Sequence, residues 1–277
     1  MNDGGWFQAL PEGDLDAAAT AIQEGQAEEP QDWPALAVEA GFVEDRAAYY
    51  DALHEATTAA TRAAVSDRER ATDQQLVHAI RAMDDLAGTV NELTERAAEW
   101  AGSYYGESDA DLEYVLAVAE REPETPTEEA IVGLAGSVRD LEQRRTRLRD
   151  FVEEQAPTVA PNLAALAGSM LAARLLALAG GLESLAKKPS GTIQVLGAED
   201  ALFAHLEGHA PSPKHGVIFT HEYVRGTRPE KRGSAARALA GKLAIAARID
   251  QYRGERHPQL QADLAERIET IRSGGEH

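Results

Sequence analysis

Cysteine is absent from this 277-residue chain, so disulfides, thiolate metal sites and cysteine nucleophiles are excluded. Lysine is nearly absent as well: there are five, against 22 arginines, under a formal net charge of −20. That combination resembles proteins adapted to a cytoplasm of very high salt. The N-terminus, Met1 to Phe7, has neither a basic n-region nor an apolar h-region, which argues against secretion and predicts a cytoplasmic protein. Long apolar runs are scarce too. The one candidate membrane span, Leu163–Leu182, has Arg174 near its centre and a Gly168-Ser169 pair, and a charge at that depth is costly. A buried core helix is the expectation there. No Ser-His-Asp order and no paired-carboxylate pattern stands out, so neither an enzyme nor a cofactor is expected.

What is present is charge, placed unevenly. Residues 1–156 hold 12 Arg, no Lys and 35 Asp+Glu, a net of −23, whereas residues 157–277 have a net of +3. An acidic chain normally repels phosphates, but the near-neutral second part weakens that objection. At high salt, counterion release contributes little to the affinity of any protein for nucleic acid, so a binder there must rely on shape and hydrogen bonds.

The periodicity is helical throughout. Within an N-terminal region of 1–66, residues 1–44 are acidic and broken by Pro11, Pro30 and Pro34, with Trp6, Phe7, Trp33 and Phe42 as scattered anchors, and read as short helices and loops. From Asp45 a helical pattern runs to Gly88 without Pro or Gly. Leu76, Ile80, Met83, Leu86, Val90, Leu93, Ala97 and Trp100 recur at steps of three and four, a heptad-like seam. A turn-rich stretch, Gly102 to Thr127, follows, with a helix start at Thr127-Glu-Glu129. A second seam then alternates three and four through Ile131, Leu134, Val138, Leu141, Arg145, Leu148 and Val152; Arg145 alone breaks it. Residues 67–156 thus read as an antiparallel coiled-coil hairpin whose first arm reaches about 50 Å. Two helices cannot bury both seams alone, which predicts a homodimer through Leu76, Ile80, Met83, Leu86, Val90, Leu93, Ile131, Leu134, Val138, Leu141 and Leu148. An ordinary helical pair packed on its own domain is the alternative. Gln155-Ala-Pro157 ends the second arm, residues 157–254 form the next domain, and the spacing of Leu260, Leu264, Ile268 and Ile271 predicts a last helix in 255–277.

Chemistry concentrates in Gly180 to Asp250. Lys187 and Lys188 precede a Pro189-Ser190-Gly191-Thr192 turn, the reverse of a nucleotide-binding P-loop, whose lysine follows its last glycine. An enzyme that binds a nucleotide there is the weaker alternative. Exposed amides at Ser190-Gly191-Thr192, before a helix that starts near Gln194 and runs to Phe203, make an anion site. Gln194 offers both a donor and an acceptor. Lys214-His215-Gly216 forms a rigid turn after Pro213, where His215 either stacks on an unpaired base or serves the turn itself. Lys231-Arg232-Gly233 is a basic loop ahead of a helix bearing Arg237, Lys242 and Arg248. Their spacings of five and six are not one face, so some are structural pairs, for instance with Glu199 or Asp250, and the rest phosphate contacts. His205 and His209, four apart, have no obvious third ligand, and no metal site is expected.

The strings GGLESLAKKPSGTIQVLGAE (180–199), PKHG (213–216) and ARALAGKLAIAARID (236–250) together resemble the Nop domain, the RNA-protein binding module of the box C/D ribonucleoprotein scaffold and its spliceosomal relative. A weaker likeness through Asp84-Asp85-Leu86 and Asn91 to Trp100 reaches the archaeal scaffold's coiled-coil region. The resemblance implies a mainly α protein: a small, shortened N-terminal fibrillarin-docking region, a dimerising hairpin and an all-α Nop domain. It implies that box C/D kink-turn RNA, already bound by the kink-turn-binding ribosomal-type protein, meets Lys187, Lys188, Ser190, Gly191, Thr192, Gln194, Gly197, Ala198, Glu199, Lys214, His215, Arg225, Lys231, Arg232, Arg237 and Lys242. It also implies that fibrillarin supplies all catalytic residues for RNA 2′-O-methylation. The family usually has a lysine where this chain has Asp200 and a basic residue at Ala204, so two basic contacts are missing.

Overall fold

The computed structural model describes residues 5–8, 10, 14–25, 29–107 and 111–274. The break expected at Pro11 lies outside them, as do 108–110 of the turn-rich stretch and the end of the tail. The described residues are helical, with no strand among them. They form two compact units, 1–71 and 72–277.

In the first unit, α1 (Leu15–Glu24), α2 (Trp33–Glu39) and α3 (Arg46–Arg70) each start at an aspartate. Asp14, Asp32 and Asp45 accept the backbone N–H of Ala17, Ala35 and Ala48, donors the helix itself cannot satisfy. α1 and α3 meet through alanines, Ala18 and Ala19 facing the side of Ala56 and Ala60. The scattered aromatic anchors converge: Phe7 and Tyr49 are buried with Trp6, Trp33 and Phe42 around them. Trp6 donates its indole N–H to the Tyr49 hydroxyl at 3.2 Å.

The second unit begins with a hairpin of two 34-residue helices, α4 (Thr72–Tyr105) and α6 (Pro126–Val159), with α5 (Leu112–Val118) between them. Helix α5 occupies part of the stretch expected to be turns; Asp111 caps it, and Tyr114, Val115 and Val118 are buried against the hairpin. The expected helix from Asp45 to Gly88 is instead two helices parted at Ala71, and Gly88 sits inside α4. A helical glycine costs about 1 kcal/mol, which packing along the rest of α4 outweighs. Helix α6 starts at Pro126, its Thr125 cap accepting the Glu128 N–H while Glu128 takes the Glu124 N–H. It also runs through Pro157, where the second arm was expected to stop. The Glu153 carbonyl that Pro157 cannot reach accepts the Ser169 hydroxyl instead, at 3.3 Å.

The seams are partly buried within the single chain: Leu76, Ile80, Met83, Val90, Ile131 and Val138 are at most 5% exposed there. Leu86, Leu93, Leu134, Leu141 and Leu148 stay half-buried. Trp100, expected on the seam, is 41% exposed because Ala97, Ala98 and Ala101 fill that place. The distal cluster around Val90 and Ile131 is separate from the proximal one, where Leu76, Ile80 and Val152 join the main core.

Eight further helices follow: α7 (Pro161–Ala167), α8 (Ser169–Ala179), α9 (Leu182–Lys187), α10 (Ser190–Val195), α11 (Glu199–Leu206), α12 (Glu222–Arg225), α13 (Arg232–Tyr252) and α14 (Gln259–Ser273), with a 3-10 turn at Val217–Thr220; all but α11, which has no buried residue, contribute to that core. The single helix expected over Leu163–Leu182 is broken at Gly168, whose φ of 78° suits glycine, and bends by 116°. No single helix among the described residues is long and apolar enough to cross a membrane. Arg174 reaches Asp84 of α4 at 2.7 Å. α13 runs through the middle, with Leu239, Leu243, Ala246 and Ala247 fully buried, and α14 packs on it through Leu264 and Ile268. The expected divisions at 66/67 and 156/157 thus lie within α3 and the last turn of α6, and α14 shares the core ahead of residue 255.

Candidate nucleic-acid interface

The helix expected to start near Gln194 starts at Ser190 and stops at Val195; Leu196-Gly197-Ala198 then turns the chain into α11. Gly197 has φ 79°, and its amide donates to Glu199 Oε1 at 2.9 Å, so Glu199 closes the turn locally and pairs with no arginine. The first-turn amides of Ser190 and Gly191 have no acceptor within α10, whereas the Thr192 amide bonds back to Pro189.

Three hydrogen bonds join this turn to the 213–217 string. Gln194 Nε2 donates to the Lys214 carbonyl at 2.7 Å, Gly216 N–H to the Gln194 carbonyl at 2.9 Å, and Val217 N–H to the Leu196 carbonyl at 2.7 Å. The approach is so close that a Cβ on Gly216 would sit 1.9 Å from the Leu196 oxygen. Gly191, Gln194, Val195, Ser212, Pro213, Lys214, Gly233 and Arg237 consequently line one open groove of about 370 Å³. Val195 and Ser212 were not singled out in the sequence; Ser212, inside Pro211-Ser-Pro213, was the available signal.

The basic residues divide. Lys188, Lys214 and Arg237 have no carboxylate partner among the described residues, and the last two line the groove. Lys187 bonds Glu183 one turn back at 2.5 Å, which raises its pKa. Lys242 pairs with Asp263 of α14 at 2.8 Å, and that bond holds the aspartate below the usual carboxylate range. It joins two helices and lies outside the groove lining, as one of the structural pairs expected among these three cations. Arg248 donates to the carbonyls of Ala186 and Lys188, at 3.1 and 3.2 Å. Arg232 donates Nε to the Thr227 carbonyl at 3.0 Å, with its guanidinium 5.3 Å from the Phe219 ring centroid. Lys231 precedes α13, and Arg225 is exposed at the end of α12; neither lines the groove.

His215 stacks on Phe219 with centroids 4.6 Å apart, so one ring face is already taken. Burial, followed by the charges of Arg232 and Lys214, lowers its pKa and favours the neutral ring. Asp250, considered above as a partner for an arginine, instead accepts the backbone N–H of Asn162 and of Leu163 and the Asn162 side-chain amide. His205 Nδ1 lies 2.9 Å from the Ala210 carbonyl, closing the end of α11 rather than facing His209.

The family described as "Nop: snoRNA binding domain, fibrillarin" matches residues 42–271. A NOP5-family protein of Methanocaldococcus jannaschii is 35% identical over 271 residues, 84% of this chain and 66% of that protein. Nucleolar protein 58 of Schizosaccharomyces pombe is 34% identical over 215 residues, 64% of this chain and 42% of its own length. The chain thus spans somewhat under two thirds of the first relative and less than half of the second. A chain in the crystal structure of a fibrillarin/Nop5p complex matches with a TM-score of 0.54 and 29% identity, over 95% of this chain and 93% of that one. With more than four fifths of its length inside the family match, the chain is a member of the Nop family.

Proposed function

We propose that this protein is a non-catalytic, cytoplasmic scaffold of a box C/D guide-RNA particle: it binds kink-turn RNA together with the kink-turn-binding protein and positions fibrillarin for 2′-O-methylation. The observation that carries the reading is the groove. Gly191, the Gln194 side chain and two cations without a carboxylate partner among the described residues, Lys214 and Arg237, meet there on a helical platform. Hydrogen-bond donors and cations in a shaped groove suit a phosphate backbone whose charge is screened by salt. The likeness to a chain crystallised with fibrillarin, over nearly the whole of both, supports a fibrillarin partner. In the first unit, a cleft of about 890 Å³ lined by Trp6, Phe7, Leu15 and Phe42, with Asp14 and Glu55 among its walls, is a candidate docking place.

Dimerisation through the hairpin belongs to the same proposal. Because the seam is consumed internally, a second copy would meet Trp100 and Tyr104, four apart on α4 and both more than 40% exposed. A second reading, an RNA-binding module without fibrillarin docking, draws on one observation: the family match begins only at residue 42.

The test is a gel shift at high salt on kink-turn RNA, with and without the kink-turn-binding protein, adding fibrillarin last. A supershift that requires the first partner and then accepts fibrillarin is expected. A complex that never takes fibrillarin favours the second reading, and no shift at all refutes both. The double variant Lys187→Glu/Lys188→Glu should lose the shift while staying folded by circular dichroism; unchanged binding would remove the loop from the site.

A further inference from the structure

The six-residue α9, which leads into the lysine-bearing loop, is too short to hold itself. Both of its ends are held by side chains from other helices. At the start, Asp73 of α4 accepts the Leu182 N–H at 2.8 Å. At the finish, Arg248 of α13 donates Nε to the Ala186 carbonyl at 3.1 Å and an Nη to the Lys188 carbonyl at 3.2 Å. These are carbonyls that the end of α9, followed by Pro189, cannot satisfy from within the helix. Arg248 has no carboxylate partner among the described residues, and on charge alone it passes for a phosphate contact of the same kind as Arg237. Its bonds describe something else.

We infer that Arg248 is a positioning residue: its guanidinium fork fixes the Lys188-Pro189-Ser190 backbone so that Lys188 and the open amides of α10 are presented in one arrangement before any RNA arrives. The functional consequence rests on the RNA-binding reading above; the conformational claim does not. A planar fork with several fixed donors can bridge two carbonyls two residues apart, whereas an ammonium is a point charge on a flexible stem. The loop is pinned on its other flank by Gln194 on the Lys214 carbonyl. Releasing the Arg248 side leaves one anchor of two, and the RNA then has to order the loop as it binds.

The test uses the full chain, the variants Arg248→Lys and Arg248→Ala, and Arg237→Ala for comparison. Amide hydrogen exchange on the free protein comes first. Both Arg248 variants should exchange faster at Lys188, Thr192 and Ile193, with α13 and the hairpin unchanged. Unaltered exchange at those amides overturns the inference whether or not RNA binds. Affinity for kink-turn RNA carrying the kink-turn-binding protein is then measured across a salt series. Both Arg248 variants should bind roughly tenfold more weakly, about 1.4 kcal/mol, with the slope of log K against log salt unchanged. Arg237→Ala should instead lower the slope by about one, as a lost phosphate contact does. If Arg248→Lys keeps wild-type affinity while Arg248→Ala loses one unit of slope, Arg248 is a phosphate contact and the inference fails. If wild type binds no RNA, the proposed function fails, and the exchange result alone decides the positioning role.

Discussion

Replacing Asp250 by alanine should be the most damaging single change in the main helical unit, although Asp250 touches nothing outside the chain. Its carboxylate lies 9% exposed at the end of α13 and takes three donors: the Asn162 N–H at 3.0 Å, the Asn162 side-chain amide at 2.7 Å and the Leu163 N–H at 2.9 Å. Two of these are first-turn amides of α7, so a residue about 90 positions downstream does the work of an N-cap. The same Asn162 accepts the His257 N–H at 2.6 Å and donates to the Glu255 carbonyl at 2.8 Å, tying in the connection to α14. Each buried donor left without an acceptor costs about 1–3 kcal/mol, and water admitted by the smaller side chain recovers part, which leaves about 3–5 kcal/mol for Asp250→Ala. For a unit of this size that is a fall in Tm on the order of 10 °C. Asp250→Asn keeps one carbonyl oxygen but turns an amide toward a donor, and should lose about 2 kcal/mol. Urea unfolding at fixed high salt, followed by circular dichroism, measures both. Asp263→Ala, which breaks a partly exposed pair with Lys242, serves as the control and should lose far less than Asp250→Ala. The reasoning is refuted if Asp250→Ala falls within about 1 kcal/mol of wild type or no lower than the control.

Gly216→Ala should disrupt the groove specifically. Its Cβ cannot share space with the Leu196 carbonyl, so the bonds to Gln194 and Leu196 must part, costing about 2–4 kcal/mol and the RNA shift together; a stable variant that still binds RNA refutes this. In the hairpin, Arg145 and Glu142 pair at 2.6 Å, yet Arg145 Nε and Glu142 Oε2 are buried with no partner among the described residues. Replacing both by leucine should stabilise by about 1–3 kcal/mol, whereas Arg145→Ala alone should destabilise by stranding the carboxylate; equal midpoints for all three proteins would contradict it. Burial lowers the pKa of His221, whose Nδ1 accepts the Tyr223 N–H while Nε2 meets the Leu166 carbonyl at 3.0 Å. A depressed histidine pKa means that the unfolded chain binds the proton more readily, so this stability is present above the ordinary pKa of about 6.5 and is lost as pH falls toward the folded value. His221→Gln should flatten the decline of Tm below about pH 6.5, leaving the share that His215 contributes by the same sign; an unchanged profile would show that His221 does not titrate on unfolding.

The hairpin was legible because a heptad pattern reports which residues share a face, and the structure buries most of that face. What the pattern does not report is what lies opposite it: α5 covers part of the distal seam, and the helices of the main core cover the proximal one. Helix breaks were the least legible feature. Gly88 and Gly168 are both exposed glycines preceded by Leu-Ala, yet α4 passes through the first and the chain folds back at the second. Packing decides: α6 lies along α4, whereas α7 packs chiefly on α13 and α8 on α4 and α6, and the positive φ at Gly168 makes the bend between them. Pro157 makes the same point, because the hydroxyl that compensates it comes from Ser169, twelve residues on.

In the candidate interface the motifs were legible and the division of labour among their cations was not. Arg237, Lys242 and Arg248 stand at different positions around one helix, and what each does depends on which chemistry another element brings to that face. Asp263 claims Lys242, the end of α9 claims Arg248, and nothing within the described residues claims Arg237. In a chain whose net charge is −20, a cation left without a carboxylate is informative, since partners abound. Exposed ion pairs contribute little, and salt screens them further, so charge alone does not keep Lys188, Lys214 and Arg237 unpaired. Among the described residues no acidic side chain lines the groove where Lys214 and Arg237 stand, and the bonds of Gln194 and Gly216 hold the backbone that shapes it. It follows that a neutral change to this scaffold, Gln194→Leu for example, should weaken RNA binding more than neutralising Lys242 does, because the first alters where the cations stand and the second removes one that was never in the groove.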